Sequence, residues 1–271
     1  MTSQSDKVEA LHKLHDEGCF VIPNPWDVGS AVLLEHLGFK ALATTSAGFA
    51  WSMARPDQGV ERAEMLEHLR QIASAVEVPV SADFEGGYAS DPEGVAESVE
   101  LAAATGIAGL SIEDSTRDAE EPLYPLELAV ERVRAARRAI DESGTDIVLT
   151  GRSEGFVVGR PDLDETIRRL QAYAEAGADC LYAPFIDTAE QVSAIVSAVA
   201  PKPVNLLVYK PFTTVADAEA LGVRRISLGA ALARVALAAF LAAAQEIADH
   251  GTFARLADLP HNAAANEIFA R

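Results

Sequence analysis

Two short stretches of this sequence run from apolar residues straight into acid. Val78-Pro79-Val80-Ser81-Ala82-Asp83-Phe84-Glu85 closes on two carboxylates one residue apart, ahead of Gly86-Gly87. Ala108-Gly109-Leu110-Ser111-Ile112-Glu113-Asp114 repeats the pattern further along. Side chains alternate along a strand, so Asp83 and Glu85 are expected on one side. Like charges placed this way repel unless a cation or a proton lies between them. Carboxylates with no histidine or cysteine beside them suit a hard cation. The expected occupant is Mg²⁺, with Mn²⁺ as the substitute, held by few protein oxygens and several waters. Asp83, Glu85 and Glu113 are the candidate ligands. A third apolar stretch, residues 146–152, ends on Arg152. That guanidinium either closes a structural salt bridge or forks onto a carboxylate or phosphonate. Metal plus guanidinium describes a site for a small anionic substrate chelated through oxygen. The backbone N–H groups of Ser46-Ala47-Gly48 are candidates to meet a developing oxyanion.

These residues need elements to carry them. Short apolar runs alternate with helical patterns along nearly the whole chain, with strands expected at residues 19–23, 41–45, 78–83, 109–113, 146–152, 179–184, 203–207 and 225–228. Alternation of this kind favours parallel strands joined by helical crossovers. Gly38, Gly106, Gly144, Gly177 and Gly222 stand where helices would end before the next strand, the position glycine serves best. Eight strand–helix units with no linker or composition break predict a single-domain α/β protein, a (β/α)8 TIM-type barrel, over about residues 15–249, with a helical tail at 250–271. A doubly wound open sheet is the competitor, but no GxGxxG turn follows the first strand. In a barrel, function gathers where strands end, and the acids concentrate on the ends of the third and fourth; Asp27 and Asp114 have a second reading as helix caps, since acid before a helix is common.

Bulk properties narrow the partners. The 271 residues carry a formal net charge of −19, with 49% hydrophobic and 23% charged residues. Nucleic acid or an anionic membrane would meet like charge, so neither is expected as a partner. The start of the chain has no apolar signal region, and the longest apolar run, residues 230–244, is interrupted by Arg234. No membrane span is therefore expected, and the protein is expected to be cytoplasmic. Cys19 and Cys180 lack metal-type spacing and read as buried thiols. The six histidines, His12, His15, His36, His68, His250 and His261, fall on predicted helices or in the tail and read as packing or surface residues, which argues against zinc.

Several motifs, in order, then carry a resemblance: Asn24-Pro25-Trp26-Asp27, Thr44-Thr45-Ser46-Ala47-Gly48, Pro56-Asp57, Ser81-Ala82-Asp83-Phe84-Glu85-Gly86-Gly87-Tyr88, Ser111-Ile112-Glu113-Asp114 and Gly151-Arg152-Ser153-Glu154. Over about residues 10–245 the chain resembles the isocitrate lyase/phosphoenolpyruvate mutase superfamily. The resemblance implies a Mg²⁺-dependent enzyme on a (β/α)8 barrel, a dimer or tetramer whose last barrel helix swaps between neighbours. It implies Asp83 as the metal ligand, with Asp57, Glu85 and Glu113 in the water-bridged shell. It places Arg152, Ser46, Ala47, Gly48 and Asn205 against an α-oxo acid or its enolate, with Arg152, Asp57 and Glu113 as the catalytic group. Members break a C–C bond in small oxo- or hydroxy-dicarboxylates, or a C–P bond in phosphonopyruvate. The Lys-Lys-Cys-Gly-His loop of the isocitrate-type lyases is replaced here by residues 115–124, which contain no Cys, Lys or His. Isocitrate cleavage by the usual route is therefore not expected. A catalytically silent metabolite-binding barrel stands as the alternative of another class.

Overall fold

A computed structural model of the chain describes residues 2–257, 259 and 262–270, which leaves His261 outside the described residues. Its elements, in order, are α1 (Gln4–Leu14), β1 (Phe20–Ile22), α2 (Val28–His36), β2 (Leu42–Ala43), α3 (Ser46–Ser52), α4 (Arg62–Ala75), β3 (Val80–Asp83), α5 (Pro92–Ala103) and β4 (Gly109–Glu113). There follow α6 (Leu126–Ser143), β5 (Val148–Arg152), α7 (Leu163–Glu175), β6 (Cys180–Tyr182), α8 (Ala189–Val199), β7 (Val204–Leu207), α9 (Val215–Ala220), β8 (Arg225–Ser227), α10 (Ala231–His250) and α11 (Asn262–Phe269). The eight strands form one parallel sheet in the order β1-β8-β7-β6-β5-β4-β3-β2.

Closure between the two end strands is made by single bonds. The Ala43 N–H donates to the Pro23 carbonyl at 3.0 Å. Asn24 then stitches three strand ends, donating from Nδ2 to the Thr44 carbonyl at 2.8 Å while its Oδ1 accepts the Leu228 and Gly229 N–H groups at 2.8 and 3.0 Å. The chain is thus a single-domain (β/α)8 barrel, as its alternation predicts. The glycines before the strands have the expected left-handed backbone, with φ of 90° at Gly38 and 104° at Gly177. That region is open to glycine at little cost.

Two helices were not legible in the strand–helix rhythm. The first is α1, which lies outside the barrel's repeating units and packs under it. Leu11 is fully buried, and Lys7 threads its ammonium onto the Ala73 and Val76 carbonyls at the end of α4 (2.8 and 2.6 Å). The second is α3. Its N-cap is Thr45, whose hydroxyl accepts the Gly48 N–H, so the expected second strand stops early and its last residues start a helix instead.

The last barrel helix corrects one expectation. By length and composition α10 is apolar enough to cross a membrane, Arg234 notwithstanding. Most of its surface is uncovered within the chain: Val235, Phe240 and Leu241 are all exposed, and of its residues Ala233 is buried.

His68 on α4 lies flat against Phe49 of α3, ring centroids 3.7 Å apart and planes within 8°. Its Nε2 is buried without a partner, and burial pushes its pKa down to about 4. The unfolded chain binds that proton near the ordinary value of about 6.5. Between the two values protons favour the unfolded chain, so stability falls as pH drops from neutral. We expect His68 to cost the wild type about 2 kcal/mol of stability between pH 7 and pH 5. In His68→Phe, which keeps the stack, that share of the acid slope should vanish in urea-unfolding curves at the two pH values.

Candidate active site

The C-terminal ends of the strands surround a cavity of about 220 Å³. Arg152, at the tip of β5, is its electrostatic centre. Its Nη1 lies 3.1 Å from Asp83 Oδ1 and 3.2 Å from Glu113 Oε2, and its Nε donates to Glu154 Oε1 at 2.6 Å. Strand pairing makes this possible: Glu113 is opposite Arg152 across β4 and β5, and Asp83 ends β3 one strand further on. Burial opposes the Arg152 charge, but Glu154, Glu113 and Asp83 together hold its pKa well above the usual arginine value. Glu113 shows the other half of the balance. Burial pushes it up to about 8 against the pull of Arg152, with Glu154, Asp83 and Asp114 adding to the rise.

Asp83 is held from its other oxygen. Oδ2 accepts from both the N–H and the hydroxyl of Ser46, at 3.0 and 2.9 Å, and the Asp83 N–H donates to Thr44 Oγ1. The start of α3 and the end of β3 are therefore one unit. Asp57 borders the same cavity, and its pKa is raised by burial and then by Asp83.

The other expected residues divide. Ser46, Ala47 and Asn205 border the cavity. Gly48 does not: its N–H is spent on the Thr45 hydroxyl, and it faces α10, where a Cβ would fall 3.3 Å from Ala233 Cβ. The Ser46 N–H is likewise committed, to Asp83. Two of the three candidate oxyanion donors are thus already engaged within the protein. Glu85 is also elsewhere. The strand ends at Asp83, and Glu85 has φ of 49°, so alternation no longer governs where its side chain points. It is buried and ion-paired with Arg117 of the loop after β4, away from the cavity.

Among the described residues no three His, Cys, Asp or Glu side chains come close enough to form a metal cluster by themselves. The pair that does converge, Asp83 and Glu113, still fits a hard divalent cation. Each brings a carboxylate oxygen to Arg152 Nη1, and a buried carboxyl raised to about 8 is short of positive charge. Mg²⁺ is commonly held by one or two carboxylates, the rest of its shell being water and substrate.

Sequence reasoning missed the layer behind Arg152. Asp114, which could have been a helix cap, is instead buried and accepts from Tyr173 Oη at 2.5 Å, Arg169 Nη1 at 3.2 Å and the Glu154 N–H at 2.7 Å. It therefore places Glu154, which in turn holds Arg152. Gly151 allows this, since a Cβ there would come 2.8 Å from Tyr173 Cβ and push α7 away. The only signal in the sequence was acid beside Arg152 at a strand end. Asp27, by contrast, is the helix cap it could have been, accepting the Ser30 N–H at the start of α2.

A parallel barrel with charged side chains gathered at its strand ends around a small cavity has the layout of a barrel enzyme. The profile of the family described as phosphoenolpyruvate phosphomutase matches residues 11–248, and the chain belongs to the isocitrate lyase/phosphoenolpyruvate mutase superfamily. A crystal structure of a candidate lyase/mutase from Burkholderia cenocepacia J2315 is 45% identical, with a TM-score of 0.96 over 99% of this chain and 98% of that one. An uncharacterised protein of Mycobacterium tuberculosis is 32% identical over 89% of each chain. Oxaloacetate acetylhydrolase, solved with its product oxalate, is 28% identical, with a TM-score of 0.87 over 99% of this chain and 95% of that one.

Asp114→Asn tests the layer behind the site. It removes one of the two carboxylates on buried Arg169, Glu165 being the other, so we expect about 2 kcal/mol of lost stability, read as a lowered midpoint in chemical denaturation.

Proposed function

We propose that this protein is a Mg²⁺-dependent lyase that cleaves a C–C bond in a small oxo- or hydroxy-dicarboxylate through an enolate-like intermediate. The observation that carries this reading is the gathering of Asp83 and Glu113 on Arg152 Nη1, next to a cavity sized for a few carbons. The likeness to an enzyme solved with oxalate supports the substrate class. Asp83 and Glu113 would hold the metal, with Asp57 at the rim to accept from its waters. When bound, the ion supplies Lewis-acid polarisation of the substrate's 2-oxo oxygen.

The chain's own residues do the rest. Arg152 forks onto the substrate carboxylate and orients it; Glu154 fixes the guanidinium so that little reorganisation is needed as charge develops. Ser46 holds Asp83 from behind, and Ala47 forms the wall above it. Asn205 presents an amide to the same cavity. The loop after β4, pinned by the Ser115–Leu123 bridge and the Arg117–Glu85 pair, would serve as a lid on release of that pair.

C–P cleavage of phosphonopyruvate is the second reading, favoured by the description of the matching family. The absence of a Cys, Lys or His proton donor from residues 115–124 is what keeps a silent binding barrel as the third. We further propose a cytoplasmic homo-oligomer, a dimer or tetramer, with the exposed apolar face of α10 covered by another copy rather than by lipid. The acidic surface offers nothing to nucleic acid.

Loss of oxaloacetate should depend on Mg²⁺ and stop with EDTA. Asp83→Ala should fall to background turnover with a near-native melt, and Arg152→Lys should lose about 10²-fold in kcat. Turnover that survives EDTA, or survives Asp83→Ala, would refute the metal reading. Phosphorus NMR with phosphonopyruvate reads the C–P alternative. Sedimentation should show more than one chain per particle, and Phe240→Glu on α10 should shift it towards monomer.

A further inference from the structure

Arg225 opens β8 and reaches across the barrel interior. Its Nε donates to Asn205 Oδ1 at 2.8 Å and its Nη2 to Thr150 Oγ1 at 3.0 Å. The residue is 5% exposed, and Nη1 is buried with no hydrogen-bond partner. Both of its partners are neutral. The titratable groups on which its charge acts bring no negative charge either: His15 is pushed down to about 3 by burial and then by Arg225, and burial raises the Cys180 thiol.

Four charged side chains border the cavity: Asp57, Asp83, Arg152 and Arg225. Arg152 is answered by Asp83, Glu113 and Glu154. Arg225 forms no ion pair with the described carboxylates. A guanidinium stays charged at any working pH, and a buried charge without a counter-charge is costly. Bracing β5, β7 and β8 needs only its two hydrogen bonds, which a neutral donor would also supply. The charge is therefore in excess of what the fold requires, and it lines the cavity.

We propose that Arg225, together with Asn205 and Ser227, forms an anion subsite at the cavity floor that receives the second carboxylate of the substrate. Asn205 is oriented for this by its neighbours. Arg225 fixes its oxygen, one Nδ2 hydrogen goes to Ser227 Oγ at 2.9 Å, and the amide retains a second N–H. The mouth, with Arg152 and the carboxylate pair, takes one end of the molecule; the floor takes the other. A monocarboxylate leaves Arg225 uncompensated, whereas a dicarboxylate brings an anion into a low-dielectric interior where the attraction is strong. The cavity is also below the ~300 Å³ at which drug-sized pockets begin, which fits a short dicarboxylate. The assignment rests on the dicarboxylate reading above and adds the residue that selects for it.

The test is calorimetric titration with succinate and butyrate, equal in carbon number and differing by one carboxylate. Neither carries the 2-oxo group, so binding is read without turnover. With Mg²⁺ present, wild type should bind succinate at least ~10-fold more tightly than butyrate, as a charged hydrogen-bonding contact implies. Arg225→Met should weaken succinate by ~10-fold or more and leave butyrate within about 3-fold. A wild-type ratio near one, an unchanged ratio in Arg225→Met, or equal weakening of both acids would overturn the subsite. If circular dichroism shows Arg225→Met unfolded, Arg225→Lys decides: the charge alone should preserve a succinate preference, and its loss overturns the assignment. A preserved preference in a protein that does not cleave oxaloacetate would refute the lyase reading and leave the subsite standing.

Discussion

One guanidinium joins three strands of this barrel. Arg152 is shared by Asp83 of β3, Glu113 of β4 and Glu154 just beyond its own strand. Two like-charged carboxylates would not lie against each other in a buried place unaided. The arginine makes their approach tolerable, and the Glu113 carboxyl, still raised by burial, shows that the compensation is incomplete. Everything that can be said about a cation or an anionic ligand at the mouth follows from that imbalance.

The rest of the chain keeps those groups in register. A shift of one residue between β4 and β5 would turn Arg152 to the other face of the sheet. That register is supported behind the site by Asp114, which ties Tyr173 and Arg169 of α7 to the Glu154 backbone. At the front, Ser46 gives both its donors to Asp83, so the helix that follows β2 serves as part of the site wall. His68 and Phe49 pack that helix onto α4. The seam between β1 and β2 is closed by the Ala43–Pro23 backbone bond and the Asn24 amide rather than by a strand ladder.

The charge distribution inside the barrel has two poles. At the mouth, carboxylates outnumber the arginine that holds them; at the floor, Arg225 meets only neutral partners. Such an arrangement favours a ligand that carries a cation-binding group at one end and an anion at the other. Chelating oxo-acids with a second carboxylate have that character. Residues 115–124, where the chain departs from the lyase-type loop, line neither pole of the cavity.

The order of strands and helices, the glycine stops and the position of acids and Arg152 at strand ends were all legible in the chain, because period and punctuation are local properties. Local rules also explain what was misread. Alternation put Glu85 beside Asp83, but the strand ends two residues before it and a left-handed turn sends it to Arg117. Asp114 had the local signature of a cap and became a buried anchor because α7, distant in sequence, delivers Tyr173 and Arg169 to it. Arg225 carried no signal, since an arginine near a strand start usually faces water. By itself the sequence determined which chemical groups exist and which strands carry them; tertiary packing decided which carboxylates share a cation and which cation is left without one, because charge pairing in a barrel depends on distances across strands that no local pattern encodes.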